Sequence, residues 1–123
     1  MSKLNILLVE DDDTQATYME AMILQLGHRP LCANSLQGAL DALMPQDIDG
    51  VLCDLVLESG SGLDVARACE AHGVPLIFVT GSADEYNLNK MYMYGFVVQK
   101  PLRMNALACA IEHFALWRQH NGR

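Results

Sequence analysis

Hydrophobic residues group into five short runs, and each run is followed by a polar turn. Apolar runs this short are typical of strands that are buried on both faces of a sheet. The five runs are Leu4–Val9, Pro30–Ala33, Val51–Leu57, Pro75–Val79 and Phe96–Val98. The third run is unusual because one carboxylate, that of Asp54, interrupts it. A charge in such a run is costly unless it lies at the open end of the strand with a cation nearby.

The segments between and after these runs repeat apolar residues with the 3.6-residue period of amphipathic helices. We predict five helices, over residues 13–26, 36–44, 63–72, 83–93 and 105–119. The residues expected to begin or end the first three helices are Asp12 or Asp13, Gly27, Asn34 or Ser35, Pro45 and Gly73. The fourth helix is the weakest, because its segment is rich in Tyr and Asn.

Strands alternating with helices predict an α/β fold, with a parallel sheet covered by helices on both faces. The chain has 123 residues, which suits one domain. Its hydrophobic fraction of 51% and charged fraction of 19% are typical of a soluble globular protein. No run approaches the roughly 20 apolar residues of a membrane span, so we expect a cytoplasmic protein.

The net charge of −7 disfavours nonspecific binding to nucleic acid or to anionic membranes. Four cysteines stand at positions 32, 53, 69 and 109, and none of them forms a CxxC pair. We interpret all of them as buried free thiols in a reducing compartment. The four histidines, which we interpret as surface residues, are His28, His72, His113 and His120.

Polar residues that could bind a ligand or take part in a reaction stand at the ends of four of the predicted strands. Glu10 and Asp11 follow the first strand, Asp54 ends the third, Thr80 ends the fourth, and Lys100 follows the fifth. Ligands of open parallel sheets bind at the carboxyl ends of the strands, where the strand order reverses. With the strand order 2-1-3-4-5, the three carboxylates meet. A site with only oxygen ligands suits Mg²⁺ better than zinc.

The runs ILLVEDD, DLVLESGSG, VTG and KP resemble those of the receiver domain of two-component response regulators, in the same order and nearly the same spacing. The resemblance covers essentially the whole chain. It implies a flavodoxin-like (βα)5 three-layer sandwich with a parallel five-stranded sheet. It also implies that Asp54 accepts a phosphoryl group from a phosphohistidine, and that Glu10, Asp11, Asp54 and the backbone carbonyl of Val56 hold Mg²⁺.

The resemblance further implies that Thr80 hydrogen-bonds the phosphoryl group and that Lys100 pairs with it. The family also has an aromatic switch residue near the fifth strand. Counting back from Lys100 places it at Val97, whereas one extra residue at Gln99 would place it at Phe96, and we favour Phe96 for its aromatic ring. The Lys-Pro peptide bond that follows is typically cis in this family.

The chain departs from the family pattern at two positions. Glu58 stands where the family usually has Pro, so we expect a more mobile loop with one more negative charge near the site. Gly81 stands where Ala is usual, which would ease access to Asp54. A cluster of Tyr and Met at residues 86–94 is either core or a surface for a partner or a second copy.

By the resemblance, residues 1–123 form one receiver domain without an output domain. The implied function is a signalling switch of a two-component or phosphorelay system, and not an enzyme beyond assisting its own phosphorylation and dephosphorylation. Its partners would be a histidine kinase or histidine phosphotransfer protein and a downstream effector, with a homodimer as a further option. Phosphorylation would change the surface formed by the fourth and fifth strands and helices.

Four alternative functions can be weighed against the sequence. The first is an interaction module of the same fold that works without phosphorylation, but the retention of all five site residues argues against it. A flavodoxin would need a hydroxyl-rich phosphate loop where this chain has three aspartates. A haloacid-dehalogenase-type phosphatase would need both Asp11 and Asp13 in the site, whereas Asp13 is predicted to lie in the helix. A DNA-binding role is disfavoured because no basic patch is present.

Overall fold

The computed structural model describes residues 3–45, 47–81 and 95–121. These ranges contain β1 (Asn5–Val9), α1 (Asp13–Gln25), β2 (Arg29–Ala33), α2 (Leu36–Leu43), β3 (Gly50–Cys53), β4 (Val56–Leu57), β5 (Gly60–Ser61), α3 (Gly62–His72), β6 (Leu76–Thr80), β7 (Phe96–Gln99) and α4 (Met104–His120). Within the same ranges, no helix combines the length and the apolar character needed to cross a bilayer.

Five of the strands form one sheet in the order β2-β1-β3-β6-β7, and every neighbouring pair in it is parallel. Strands β6 and β7 are the fourth and fifth strands of the sequence prediction, so the predicted order 2-1-3-4-5 is confirmed. The chain therefore has the flavodoxin-like architecture. The predicted fourth helix and the Tyr/Met cluster fall in residues 82–94, outside the described residues.

The prediction of one buried strand over Val51–Leu57 is wrong in its second half. Strand β3 ends at Cys53, and β4 pairs antiparallel with β5 in a separate two-stranded hairpin, where Val56 is 58% exposed. The chain doubles back so tightly that a Cβ at Gly62 would lie 2.3 Å from the Asp54 carbonyl oxygen. Asp54 therefore lies just after the carboxyl end of β3 and does not interrupt a buried strand.

Helix ends are formed by the capping residues that the sequence offers. The Asp12 side chain accepts a hydrogen bond from the Gln15 amide at the start of α1, and Ser35 caps α2. The capping residues are therefore Asp12 rather than Asp13 for α1, and Ser35 rather than Asn34 for α2. Helix α3 ends at Gly73, whose φ of 69° is the left-handed conformation that glycine adopts without strain.

The sheet separates two apolar clusters. The α1/α4 cluster covers one face, and its helical members include Met19, Met22, Ile23, Leu107, Ile111 and Phe114. The α2/α3 cluster covers the other face, and its helical members include Ala39, Leu43, Val65, Ala66 and Cys69. Packing in the α1/α4 cluster is close, since a Cβ at Gly50 would lie 2.3 Å from the Phe114 ring.

Half of the cysteine prediction is wrong. Cys53 and Cys69 are buried free thiols, but Cys32 and Cys109 are exposed. Cys32 lies on β2, which is an edge strand with solvent on one side. Burial raises the pKa of Cys69 to about 12, and it raises the pKa of Cys53 well above its ordinary value. Both buried thiols are therefore neutral and inert at neutral pH.

His28 is also not the surface residue that the sequence analysis expected. It is only 8% exposed, and its Nδ1 accepts a hydrogen bond from the Leu4 amide at 3.0 Å. Gly27, with a φ of 86°, turns the chain after α1. The turn places the imidazole of His28 beside the Leu4 amide, just before β1. Burial lowers the pKa of His28 below 6.5, so the neutral ring is the form that the fold accommodates.

The buried imidazole is expected to reduce the stability of the fold at mildly acidic pH. As the pH falls below 6.5, the unfolded chain binds a proton at His28 before the folded chain does. The free energy of unfolding should therefore be highest above that pH and should decline below it. His28→Asn offers a similarly placed acceptor without titrating, so urea unfolding between about pH 7.5 and about pH 5 should vary less in this variant. Equal pH dependence in both proteins would contradict the prediction.

Candidate functional site

Three carboxylates meet at the carboxyl edge of the sheet. Each of Glu10, Asp11 and Asp54 offers a side-chain oxygen, and these oxygens all lie within 4.8 Å of one another. They meet because β1 and β3 are neighbours and because the Asp54 amide continues the pairing by donating to the Val9 carbonyl at 3.1 Å. Glu10 is 2% exposed, and the other two are half-buried. We call these three residues the carboxylate cluster.

Lys100 neutralises part of this negative charge. Its Nζ donates to Glu10 Oε1 at 2.6 Å and to Asp54 Oδ2 at 3.0 Å. Burial alone would lower the pKa of the ammonium, but the hydrogen bonds and charges of Glu10 and Asp54 outweigh burial, and the pKa of Lys100 is raised. The ammonium therefore stays protonated at neutral pH. The Lys100–Pro101 peptide is cis, as the resemblance implied.

Thr80 lies at the carboxyl end of β6, beside the lysine. It is 1% exposed, and its carbonyl accepts a hydrogen bond from the Lys100 amide at 3.0 Å. The next residue, Gly81, is exposed, and a Cβ there would lie 3.9 Å from two carbons of the Lys100 side chain. An alanine would therefore fit at position 81 and cover the lysine stem, which glycine leaves uncovered on that side.

Backbone amides from the adjoining loops donate to each carboxylate. The Asp12 amide donates to Glu10 at 3.3 Å, and the Val56 amide donates to Asp54 at 3.4 Å. The shortest of these contacts joins the Glu58 amide to Asp11 Oδ2 at 2.7 Å. This contact was not predicted from the sequence, although a residue other than proline at position 58 signals that an amide is available there.

The two candidates for the switch residue lie on opposite faces of β7. Phe96 is 58% exposed, and its ring meets that of His113 edge-on with centroids 5.0 Å apart. Val97 packs against the α2/α3 cluster. Strands β6 and β7 pair one residue to one residue, from Ile77 and Phe96 up to Thr80 and Gln99. Which of the two side chains responds to phosphorylation stays a prediction.

The carboxylate cluster has the chemistry of a site for a hard divalent cation. Its donors are all oxygens, and three carboxylates against one ammonium leave an excess of negative charge. Mg²⁺ prefers a few carboxylates together with water, whereas zinc prefers His and Cys. The nearest cysteine, Cys53, is a neutral thiol whose Sγ donates to the Asp54 carbonyl. The residues present therefore fit Mg²⁺.

Known proteins match this chain in sequence and in fold. The family model described as "Response regulator receiver domain" matches residues 6–112. The response regulator ArlR of Staphylococcus haemolyticus is 26% identical over 110 residues, which are 87% of this chain and 50% of that protein. The sensory/regulatory protein RpfC of Xanthomonas campestris is 28% identical over 64 residues, which are 52% of this chain and 9% of that protein. The chain thus spans half or less of these relatives.

Solved structures show the same fold. The receiver domain (CheY-like) from Methylobacillus flagellatus superposes with a TM-score of 0.81 at 23% identity, covering 92% of this chain and 99% of that one. The family match extends from β1 into α4 and includes every residue of the carboxylate cluster as well as Thr80 and Lys100. This chain belongs to the response regulator receiver domain family.

Proposed function

We propose that the chain is a phosphorylation-dependent signalling switch whose phosphoacceptor is Asp54. The observation that carries this proposal is the shared ion pair, in which Lys100 Nζ contacts both Glu10 and Asp54 inside the carboxylate cluster. A half-buried ammonium beside a half-buried carboxylate, at the carboxyl ends of the strands, is positioned to offset the charge of an anionic group transferred to that carboxylate.

In the proposed reaction, one carboxylate oxygen of Asp54 attacks the phosphorus of a phosphohistidine on the donor protein. The bond between phosphorus and the imidazole nitrogen breaks, its electron pair stays on that nitrogen, and the nitrogen takes up a proton from solvent. Lys100 offsets the negative charge brought together in this step. Thr80 would then donate its hydroxyl to the phosphoryl group, which adds about −1.5 to −2 charges at neutral pH.

Mg²⁺ would be held by Glu10, Asp11, Asp54 and the backbone carbonyl of Val56. When bound, it would supply positive charge that offsets the repulsion between the carboxylates and the incoming phosphoryl group. The convergence of three carboxylates within 4.8 Å supports this assignment.

The proposed switch acts through binding partners, and its own chemistry is limited to helping its phosphorylation and dephosphorylation. A histidine kinase or histidine phosphotransfer protein in the cytoplasm would supply the phosphoryl group, and a downstream effector or a second copy of the chain would recognise the phosphorylated form. Drawing Thr80 towards the phosphoryl group would reposition β6 and β7, with Phe96 or Val97 as the responding side chain. Phosphate-independent binding is not favoured, because Lys100, Thr80 and the carboxylate cluster converge.

The experiment that tests this function is intact-mass measurement after incubation with acetyl phosphate, with and without Mg²⁺. We expect a single phosphoryl adduct that requires Mg²⁺ and maps to the peptide containing Asp54. The absence of any adduct in folded protein that binds Mg²⁺ would overturn the proposal and would favour the phosphate-independent module. An adduct on another residue would overturn the assignment of Asp54.

A further inference from the structure

The turn of the β4–β5 hairpin contacts two separate parts of the molecule through consecutive residues. The Glu58 amide donates to Asp11 Oδ2 at 2.7 Å, in the carboxylate cluster. The Ser59 hydroxyl accepts a hydrogen bond from the Leu36 amide at 2.8 Å, at the first residue of α2. The hairpin therefore bridges the candidate metal site and the N-terminus of a helix that contributes no residue to that site.

We propose that the Glu58 amide positions Asp11 within the carboxylate cluster, and that the hairpin links occupancy of the cluster to the N-terminus of α2 through Ser59. This inference rests on the proposed function, because it assigns a role around the same Mg²⁺ site. Glu58 is a positioning residue: it acts through Asp11, and its part is played by the backbone amide rather than by the carboxylate.

The contact to Asp11 has the properties of an orienting hydrogen bond. A neutral amide that donates to a carboxylate at this distance makes a charge-assisted bond, which is among the stronger kinds in proteins. It holds one oxygen of Asp11 towards the hairpin and so fixes the direction of the other. Hydrogen bonds of this kind around metal-binding carboxylates raise the affinity for the metal by orienting its ligands.

The contact to α2 satisfies a backbone group that the helix cannot satisfy itself. The first amides of a helix have no partner within the helix, and Leu36 obtains its partner from Ser59. The hairpin also packs directly on the same residue, since a Cβ at Gly60 would lie 3.0 Å from Leu36 Cδ2. A shift of the hairpin would therefore change the surroundings of the Leu36 amide.

Two pairs of variants separate the backbone role from the side-chain charge. Glu58→Pro removes both the amide N–H and the carboxylate, whereas Glu58→Ala removes the carboxylate alone. Ser59→Ala removes the acceptor for the Leu36 amide, and Ser59→Thr retains a hydroxyl. Each protein is titrated with MgCl₂ while calorimetry reports the affinity and ¹⁵N–¹H spectra report the Leu36 amide. Urea unfolding confirms that each variant is folded.

We expect Glu58→Pro to weaken Mg²⁺ binding about tenfold and Glu58→Ala to change it far less. The Leu36 amide should shift on addition of MgCl₂ in the wild type, Glu58→Ala and Ser59→Thr, but little in Glu58→Pro or Ser59→Ala. Equal affinity in Glu58→Pro and Glu58→Ala, or an unchanged Leu36 response in Ser59→Ala, would overturn the inference. If the wild type bound no Mg²⁺ and took no phosphoryl group from acetyl phosphate, the proposed function itself would fail, and the inference with it.

Discussion

Asp54→Asn is expected to abolish the phosphoryl adduct that acetyl phosphate forms in the presence of Mg²⁺. An amide has no carboxylate oxygen that can attack phosphorus, so the loss should be complete rather than partial. The fold should be retained, because asparagine has nearly the same shape and its carbonyl oxygen can still accept a hydrogen bond from Lys100 or from the Val56 amide. Intact-mass spectra and circular dichroism on the same sample measure both expectations.

The matched control is Asp64→Asn, which changes the net charge by the same amount at a distant position. Asp64 lies on α3, and its side chain is 48% exposed in an ion pair with Arg67. This variant should take up the phosphoryl group at the wild-type rate. A persistent adduct in Asp54→Asn would mean that a different residue is the acceptor, and the assignment of Asp54 would have to be abandoned.

Phe114→Ala is expected to cause the largest loss of stability. The ring is fully buried in the α1/α4 cluster and lies against the backbone of Gly50. Replacing a buried phenylalanine by alanine removes its contacts and leaves a cavity, at a cost of about 3–5 kcal/mol. Because domains are stabilised by only about 5–15 kcal/mol, the variant should unfold at a much lower urea concentration.

Phe96→Ala removes the same ring from a position that is 58% exposed. It should lower the free energy of unfolding by less than about 1 kcal/mol, since substitutions at exposed positions usually have small effects. Comparing Phe114→Ala with Phe96→Ala separates the effect of burial on stability from the effect of the side-chain type. Similar losses in the two variants would show that the α1/α4 cluster does not depend on Phe114.

The meeting of the carboxylates was predictable from the sequence once the strand order 2-1-3-4-5 was assumed. Glu10 and Asp11 directly follow one apolar run, and Asp54 lies in another. Once those runs are neighbouring parallel strands, their carboxyl ends meet at one edge of the sheet. The helix caps at Asp12 and Ser35 were likewise within the choices that the sequence offered, because capping depends on residues that are close in the chain.

Features that depend on contacts between distant residues were not predictable in the same way. The apolar residues Val56 and Leu57 continue the pattern of the third strand, but the close approach of Gly62 to the Asp54 backbone folds them into a hairpin. His28 looked like a polar residue after a helix, and only its hydrogen bond to the Leu4 amide accounts for its burial. In both cases the structure depends on a contact that the pattern of apolar and polar residues within the segment does not reveal.

The contact between the Glu58 amide and Asp11 joins residues that are 47 positions apart. No periodicity or spacing rule relates two such positions, and the amide N–H is common to every residue except proline. The loss of proline at position 58 led us to expect a more mobile loop with one more negative charge near the site. The structure shows that the same change also provides an amide N–H that donates to Asp11.

The separation of the core by the sheet bears on how this sequence can drift during evolution. The α1/α4 cluster and the α2/α3 cluster share no buried residue among those that the structure describes. Substitutions without shared partners have nearly additive effects on stability. A substitution that changes the packing beneath one pair of helices therefore needs no compensating substitution beneath the other pair. The two clusters can accumulate substitutions independently. The carboxylate cluster, set where β1 and β3 end, limits that freedom only at the edge of the sheet.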